Sequence, residues 1–292
     1  ASIMTKYRHN LPQLGRRLFL ADGGLETTLI YHEGIDLPHF AAFDLLRTEE
    51  GREALRRYYL PFIEAARRNG FGFVLDTPTW RASPDWGRKL GYSAEALAAV
   101  NRDAISLMAE LRTAHEAHGF PMVISGAIGP RGDGYVADKV MSAAAAEAYH
   151  RAQIGVFAAT DADLVTAYTL TNVNEAVGVT RAAQAFAIPV AISFTLETDG
   201  LLPTGSSLEE AIEAVDEATG CGPAYYMINC AHPTHFESSL ARGGAWISRL
   251  KGVRANASRR SHAELDAATE LDAGDPDELG RQYRSLRLRF TH

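Results

Sequence analysis

Seven short apolar runs, each with a polar residue or glycine at or next to its end and most followed by a stretch of helical periodicity, constrain this chain more than any other feature. The runs fall at residues 18–24, 71–80, 122–126, 163–170, 189–196, 224–230 and, more weakly, 252–257. Continuous apolar runs of this length read as strands buried on both faces of a parallel sheet. Between them, apolar spacing predicts helices over 50–69, 93–118, 142–159, 174–187 and 207–219. A last amphipathic helix is expected over 277–290, with Leu279, Tyr283, Leu286 and Phe290 on one face. Ser93 and Ser207 are predicted N-caps, and Glu210 completes a capping box with Ser207.

Strands alternating with helices over the whole length mean repeated βαβ units and a parallel sheet. Polar residues recur where the strands should end: Asp22, Asp76, Thr77, Ser125, Thr169, Ser193, Asn229, Cys230 and Asn256. That pattern predicts an α/β fold of the (β/α)8 TIM-barrel type with one site on the face at the strand C-termini. A doubly wound sheet is the alternative, but no Gly-x-Gly-x-x-Gly follows the first strand. No linker or low-complexity tract divides the chain, so residues 1–292 are expected to form a single barrel domain. A barrel needs eight strands and only seven are found. The eighth strand is therefore expected to be missing and the barrel C-terminally incomplete, which leaves two strand edges to be covered.

Composition narrows the class. A hydrophobic content of 46% against 22% charged residues is globular, and the formal charge of −7 argues against a nucleic-acid or membrane-surface partner. No run approaches a membrane span and the first residues lack a signal-peptide core. Two cysteines, Cys221 and Cys230, do not make a disulfide framework. The expectation is a cytoplasmic protein that acts on small molecules. Homo-oligomerisation is left open.

The stretch from Ala224 to His235 concentrates chemistry. A buried strand ends at Asn229 and Cys230, and Pro233 then opens a helix at a favoured first-turn position. One strand-to-helix loop thus carries a thiol and two imidazoles, His232 and His235. Thiolate is a soft ligand suited to zinc. Helix-start histidines more often serve as hydrogen-bonding loop residues than as ligands. Cys221 precedes the strand that Cys230 follows, so the two cannot share a metal or a disulfide.

Six segments in order carry a resemblance: 21–25 (Ala-Asp-Gly-Gly-Leu), 76–83 (Asp-Thr-Pro-Thr-Trp-Arg-Ala-Ser), 126–130 (Gly-Ala-Ile-Gly-Pro), 193–196 (Ser-Phe-Thr-Leu), 228–230 (Ile-Asn-Cys) and 255–257 (Ala-Asn-Ala). Together they resemble the homocysteine S-methyltransferase family, zinc-dependent (β/α)8 barrels that move a methyl group onto a thiol. The resemblance covers about residues 15–290. It implies that Cys230 is a zinc-binding thiolate, that Asp22 receives the amino group of an amino-acid substrate, and that Thr77 and Asn256 bind substrate. Two further thiolates in the family lie in a Gly-Gly-Cys-Cys segment beyond the last strand; that segment is absent from this sequence, so the zinc site lacks ligands. The family's second acid, a Glu ending the fourth strand, is replaced by Tyr168, and Glu26 and Glu197 are the nearby acids that would compensate. Arg131, Asp133 and Tyr135 lie in a Gly-rich loop placed to cover the site. Trp80 is either a pocket wall or packing. Lys251, at the start of the seventh strand, is on the wrong face for a Schiff base.

The resemblance implies a zinc-activated S-methyltransferase that carries a methyl group from a sulfonium or similar donor to homocysteine or a related thiol. The second reading is a non-catalytic barrel that binds an amino-acid-like ligand or a partner protein, having lost the metal site. A metal-independent barrel lyase is a weaker third, since no lysine base is placed for it.

Overall fold

A computed structural model describes residues 5–133, 139–268 and 270–289. All seven apolar runs are strands: β1 Phe19–Ala21, β2 Gly72–Asp76, β3 Met122–Ile128, β4 Leu164–Leu170, β5 Val190–Thr195, β6 Tyr225–Asn229 and β7 Leu250–Arg254. They form one sheet in the order β1-β2-β3-β4-β5-β6-β7. A doubly wound sheet reverses its order at a switch point; this one never does. The order is that of a (β/α)8-type fold, and no strand follows β7 among the described residues.

The helices are α1 Leu25–Thr27, α2 Glu49–Arg68, α3 Pro84–Lys89, α4 Ala94–His115, α5 Ala143–Ala158, α6 Val173–Ala185, α7 Leu208–Thr219, α8 Pro233–Ala241, α9 His262–Asp266 and α10 Pro276–Arg289. The predicted caps are in place. Ser93 accepts from Ala96 N, and Ser207 and Glu210 form both bonds of the capping box. Pro233 opens α8 with His232 as its N-cap. The sequence reading missed α1 and the helical turn that continues it over Thr28–His32, α3, α9 and the single-turn pieces around residues 38–47. It also ended the third strand at Gly126, whereas β3 continues to Ile128 because Ala127 and Ile128 are themselves buried. The seventh strand begins two residues early, at Leu250, fed directly by a 3-10 turn over Ala245–Arg249. No helix among the described residues is long and apolar enough to cross a membrane.

Chain contacts divide the molecule into two compact units. The first comprises Ala1–Arg131, Ala148–Thr166 and Ala182–Val190. Here β1 pairs parallel with β2, and β2 with β3, in the registers Ala21↔Val74 and Asp76↔Ser125. Helix α2 buries Leu55, Tyr58, Tyr59, Ile63 and Ala66. The N-terminal segment is fastened by polar groups as well as by buried Leu11. Buried Asp163 accepts from Tyr7 N at 2.8 Å, Ile124 N at 2.9 Å and Arg112 Nη1 at 2.8 Å. The Arg8 guanidinium donates to the carbonyls of Ala158, Thr160 and Ala162.

The second unit comprises Gly132–Glu147, Ala167–Arg181 and Ala191–His292. Its strands β5, β6 and β7 are parallel neighbours, with Thr195 beside Asn229 and Asn229 beside Arg254. Phe194 and Tyr226 stack at 6.2 Å between centroids. Arg249 holds Asp216 through Nε at 2.8 Å and Nη2 at 3.0 Å, and the Tyr226 hydroxyl donates to the same carboxylate. This two-pronged ion pair ties the turn before β7 to α7.

Candidate functional site at the strand ends

In the first unit, the residues that follow β1 and β2 carry the candidates. Asp22 is buried, 6% exposed, and the Tyr58 hydroxyl from α2 lies 2.8 Å from its Oδ2 and 2.9 Å from Gly23 O. The Tyr58 hydroxyl thus helps to set the Asp22 carboxylate in place. Thr77 is also buried, and its hydroxyl belongs to a tight clasp. The Thr79 hydroxyl lies 2.6 Å from the Ala127 carbonyl, which can only accept, so the Thr79 proton points there. Thr77 Oγ1, 2.6 Å from Thr79 Oγ1, is therefore the donor of that pair, and it accepts from Ala127 N at 2.9 Å. What Thr77 retains toward a ligand is one lone pair. Behind the clasp, Gln153 Nε2 holds the Thr79 carbonyl at 3.1 Å and Asn101 Oδ1 at 3.1 Å.

Trp80 packs against the end of β3. A Cβ on Gly129 would come within 2.4 Å of the Trp80 carbonyl, so only glycine permits this approach. The Arg81 guanidinium is sandwiched, 4.1 Å from the Trp80 ring and 3.8 Å from that of Trp86. Arg131 is drawn to Asp85 at 2.8 Å and over the Tyr149 ring at 4.5 Å. Asp133 is described but Tyr135 lies outside the described residues.

In the second unit, Cys230 and Asn256 lie on the adjoining continuations of β6 and β7, with Asn256 paired to Ala231. The ladder between β6 and β7 runs on past the strands through Cys230 N to Arg254 O at 3.1 Å and Asn256 N to Ala231 O at 3.0 Å. The end of β7 is anchored from α10, where Tyr283 Oη accepts from Ala255 N at 2.7 Å. Asn229 makes four side-chain hydrogen bonds on this rim, and sequence reasoning assigned it no role. Its Oδ1 accepts from Thr169 N at 2.9 Å and from the Ser193 hydroxyl at 2.7 Å. Its Nδ2 donates to Thr169 Oγ1 at 2.9 Å and to Cys230 Sγ at 3.3 Å. Tyr168, which stands where the resemblance places an acid, is buried with the Arg254 guanidinium 4.8 Å from its ring centroid. Glu197 lies 3.7 Å from His262 Nδ1. Lys251 is exposed.

The histidines of this stretch are occupied by local structure. His232 Nδ1 accepts from Thr234 N at 3.2 Å as the α8 cap, and His235 Nε2 bonds the Arg259 carbonyl at 3.1 Å. Burial, with the charge of Arg259 added at His232, holds both imidazoles below their ordinary range. His262 Nε2 donates to the Cys230 carbonyl. Cys221 is exposed before β6 and Cys230 follows it; the two are not joined. No three His, Cys, Asp or Glu side chains gather to hold a metal ion among the described residues. Cys230 supplies one thiolate, whereas a zinc site takes three or four protein ligands. The zinc implied by the resemblance is not fitted by the residues described.

Fold and rim together define an α/β protein of (β/α)8 type with polar and thiol side chains at its strand C-termini. A family model for homocysteine S-methyltransferase matches residues 19–286, and the chain belongs to that family. Among solved structures it is similar to the homocysteine methyltransferase MmuM from Escherichia coli. The metallated form superposes with a TM-score of 0.68 at 20% identity, covering 88% of this chain and 96% of that one. The apo form gives 0.62 at 19% identity with the same coverage. At such identity the likeness is one of fold. Among curated proteins, none matches this chain in sequence.

Proposed function

We propose that this chain, acting as a single barrel domain, transfers a methyl group from a sulfonium or similar donor to the thiol of homocysteine or a related thiol. The family match across residues 19–286 carries the reading. The acceptor sulfur attacks the donor's methyl carbon in line. A new C–S bond forms, the donor's C–S bond breaks with its electrons returning to the donor sulfur, and the acceptor's thiol proton passes to water. Asp22, held by Tyr58, is the acceptor for the substrate's ammonium group. Thr77 and Asn256 are each read as substrate-binding side chains. Because the described residues do not compose a zinc site, no step is assigned to the metal.

The second reading, a barrel that binds an amino-acid-like ligand without turnover, is favoured by one observation. Tyr168 is taken up by the Arg254 guanidinium, so that position offers no acid for an amine. Incubation with homocysteine and either S-methylmethionine or S-adenosylmethionine, with methionine read by mass spectrometry, separates the two. Methionine formed above the uncatalysed rate supports transfer. Homocysteine binding by calorimetry without any product supports the binding barrel.

A further inference from the structure

Two residues at the strand ends of the second unit hold a backbone conformation that their side chains disfavour. Thr169, the penultimate residue of β4, has φ +63°, and Cys230, just past β6, has φ +54°. Positive φ is uncommon for any residue but glycine, and for a β-branched residue such as threonine it is an outlier. Such strain persists only where the surroundings over-determine it, and it clusters at functional sites. Both residues are bonded by one side chain. Asn229 is 2% exposed, and a carboxamide has two N–H donors and two acceptor lone pairs. All four are spent: Thr169 N, Ser193 Oγ, Thr169 Oγ1 and Cys230 Sγ. Two of the four grip Thr169 from both sides of its backbone turn, and one reaches the sulfur.

This saturation matters for what Asn229 can do. It has no donor or acceptor left for a ligand, so it cannot be a substrate contact. Its bonds span β4, β5 and β6, which makes it a bracket across three strand ends. Thr195, its neighbour in register on β5, forms none of them. We propose that Asn229 is the positioning residue of this rim. It fixes the Cys230 sulfur and the strained end of β4 in the geometry that the thiol acceptor meets; the acceptor's part in this rests on the methyl-transfer reading above.

A residue that merely supported folding would be replaceable by removing the strain it offsets, and that contrast supplies the test. In a Cys221→Ser background, which removes the exposed thiol, the rate of Cys230 alkylation by iodoacetamide is followed by mass spectrometry at about pH 9.5. Thiols are largely ionised there, so the rate reports access rather than acidity. Asn229→Ala is expected to alkylate at least about fivefold faster as the sulfur is released. Thr169→Gly, which adopts φ +63° without steric cost, should leave the rate unchanged. The double variant Asn229→Ala with Thr169→Gly should recover melting temperature relative to Asn229→Ala alone while keeping the faster alkylation. If the alanine variant does not fold, Asn229→Ser, which stays polar and uncharged but is too short to bond the sulfur, should also alkylate faster. Alkylation within twofold of the parent, or a double variant that returns to the parental rate, overturns the proposal. Calorimetric titration with homocysteine runs alongside. Should the parent not bind homocysteine, the acceptor reading fails while the alkylation series still judges Asn229.

Discussion

The clasp after β2 offers a prediction whose size follows from counting bonds. Thr79 is fully buried, and its hydroxyl makes two hydrogen bonds, one to the Ala127 carbonyl and one from Thr77. Thr77 likewise makes two, the shared bond and the one from Ala127 N. Replacing either threonine by valine keeps shape while deleting the hydroxyl. At about 1 kcal/mol for each net bond, each single variant should cost about 2 kcal/mol. The two singles count the Thr77–Thr79 bond twice. The double variant loses three bonds, costs about 3 kcal/mol, and shows a coupling of about 1 kcal/mol. Urea denaturation of the four proteins, fitted with a common slope, measures this cycle. Additive costs, a coupling below about 0.3 kcal/mol, would show that the two hydroxyls do not bond each other and that the proton assignment is wrong. Single costs below about 0.5 kcal/mol would show that the hydroxyls are hydrated rather than buried in a clasp.

Tyr58→Phe removes the hydroxyl donor to Asp22, and homocysteine affinity by calorimetry should fall by up to about tenfold; a change under twofold would detach Asp22 from acceptor binding. Zinc, measured by plasma mass spectrometry after dialysis, should stay well below one equivalent for this chain and should not respond to Cys230→Ser; stoichiometric, Cys230-dependent zinc would show ligands that the described residues do not reveal. Glu116 is pushed up by burial but more than offset by Lys6, Met122 N and Tyr7, so its carboxyl sits below the ordinary value of 4.5. A depressed carboxylate stabilises the fold above its unfolded value and loses that contribution as pH falls through the folded one. Glu116→Gln should therefore flatten the loss of stability below about pH 4.5, and an unchanged acid limb in denaturation profiles would refute the assignment.

The sequence by itself determined the strands, the main helices and their caps. A strand buried on both faces must be apolar throughout, so Met122 to Ile124 and Val190 to Ile192 announce themselves without any neighbour. Caps such as Ser207 with Glu210 are equally local, since donor and acceptor lie three residues apart. The expectation of one parallel sheet followed, and with it the rim on which Asp22, Thr77, Cys230 and Asn256 were placed. What the residues cannot announce is which distant partner completes a buried polar group. Asn229 reaches Thr169 across 60 positions and Asp163 reaches Tyr7 across 156, distances at which no periodicity survives. The left-handed backbone at Thr169 and Cys230 was invisible for the same reason: local sterics argue against it, and the bonds around it, those of Asn229 among them, come from distant parts of the chain. Tyr168 shows the limit from the other side. As a residue it marked a departure from the family, but its pairing with the Arg254 guanidinium existed only once β4 and β7 had been brought into one unit. Local chemistry sets which segments become strands and helices, while the satisfaction of buried donors and acceptors, a condition on the folded whole, decides what the strand ends can do.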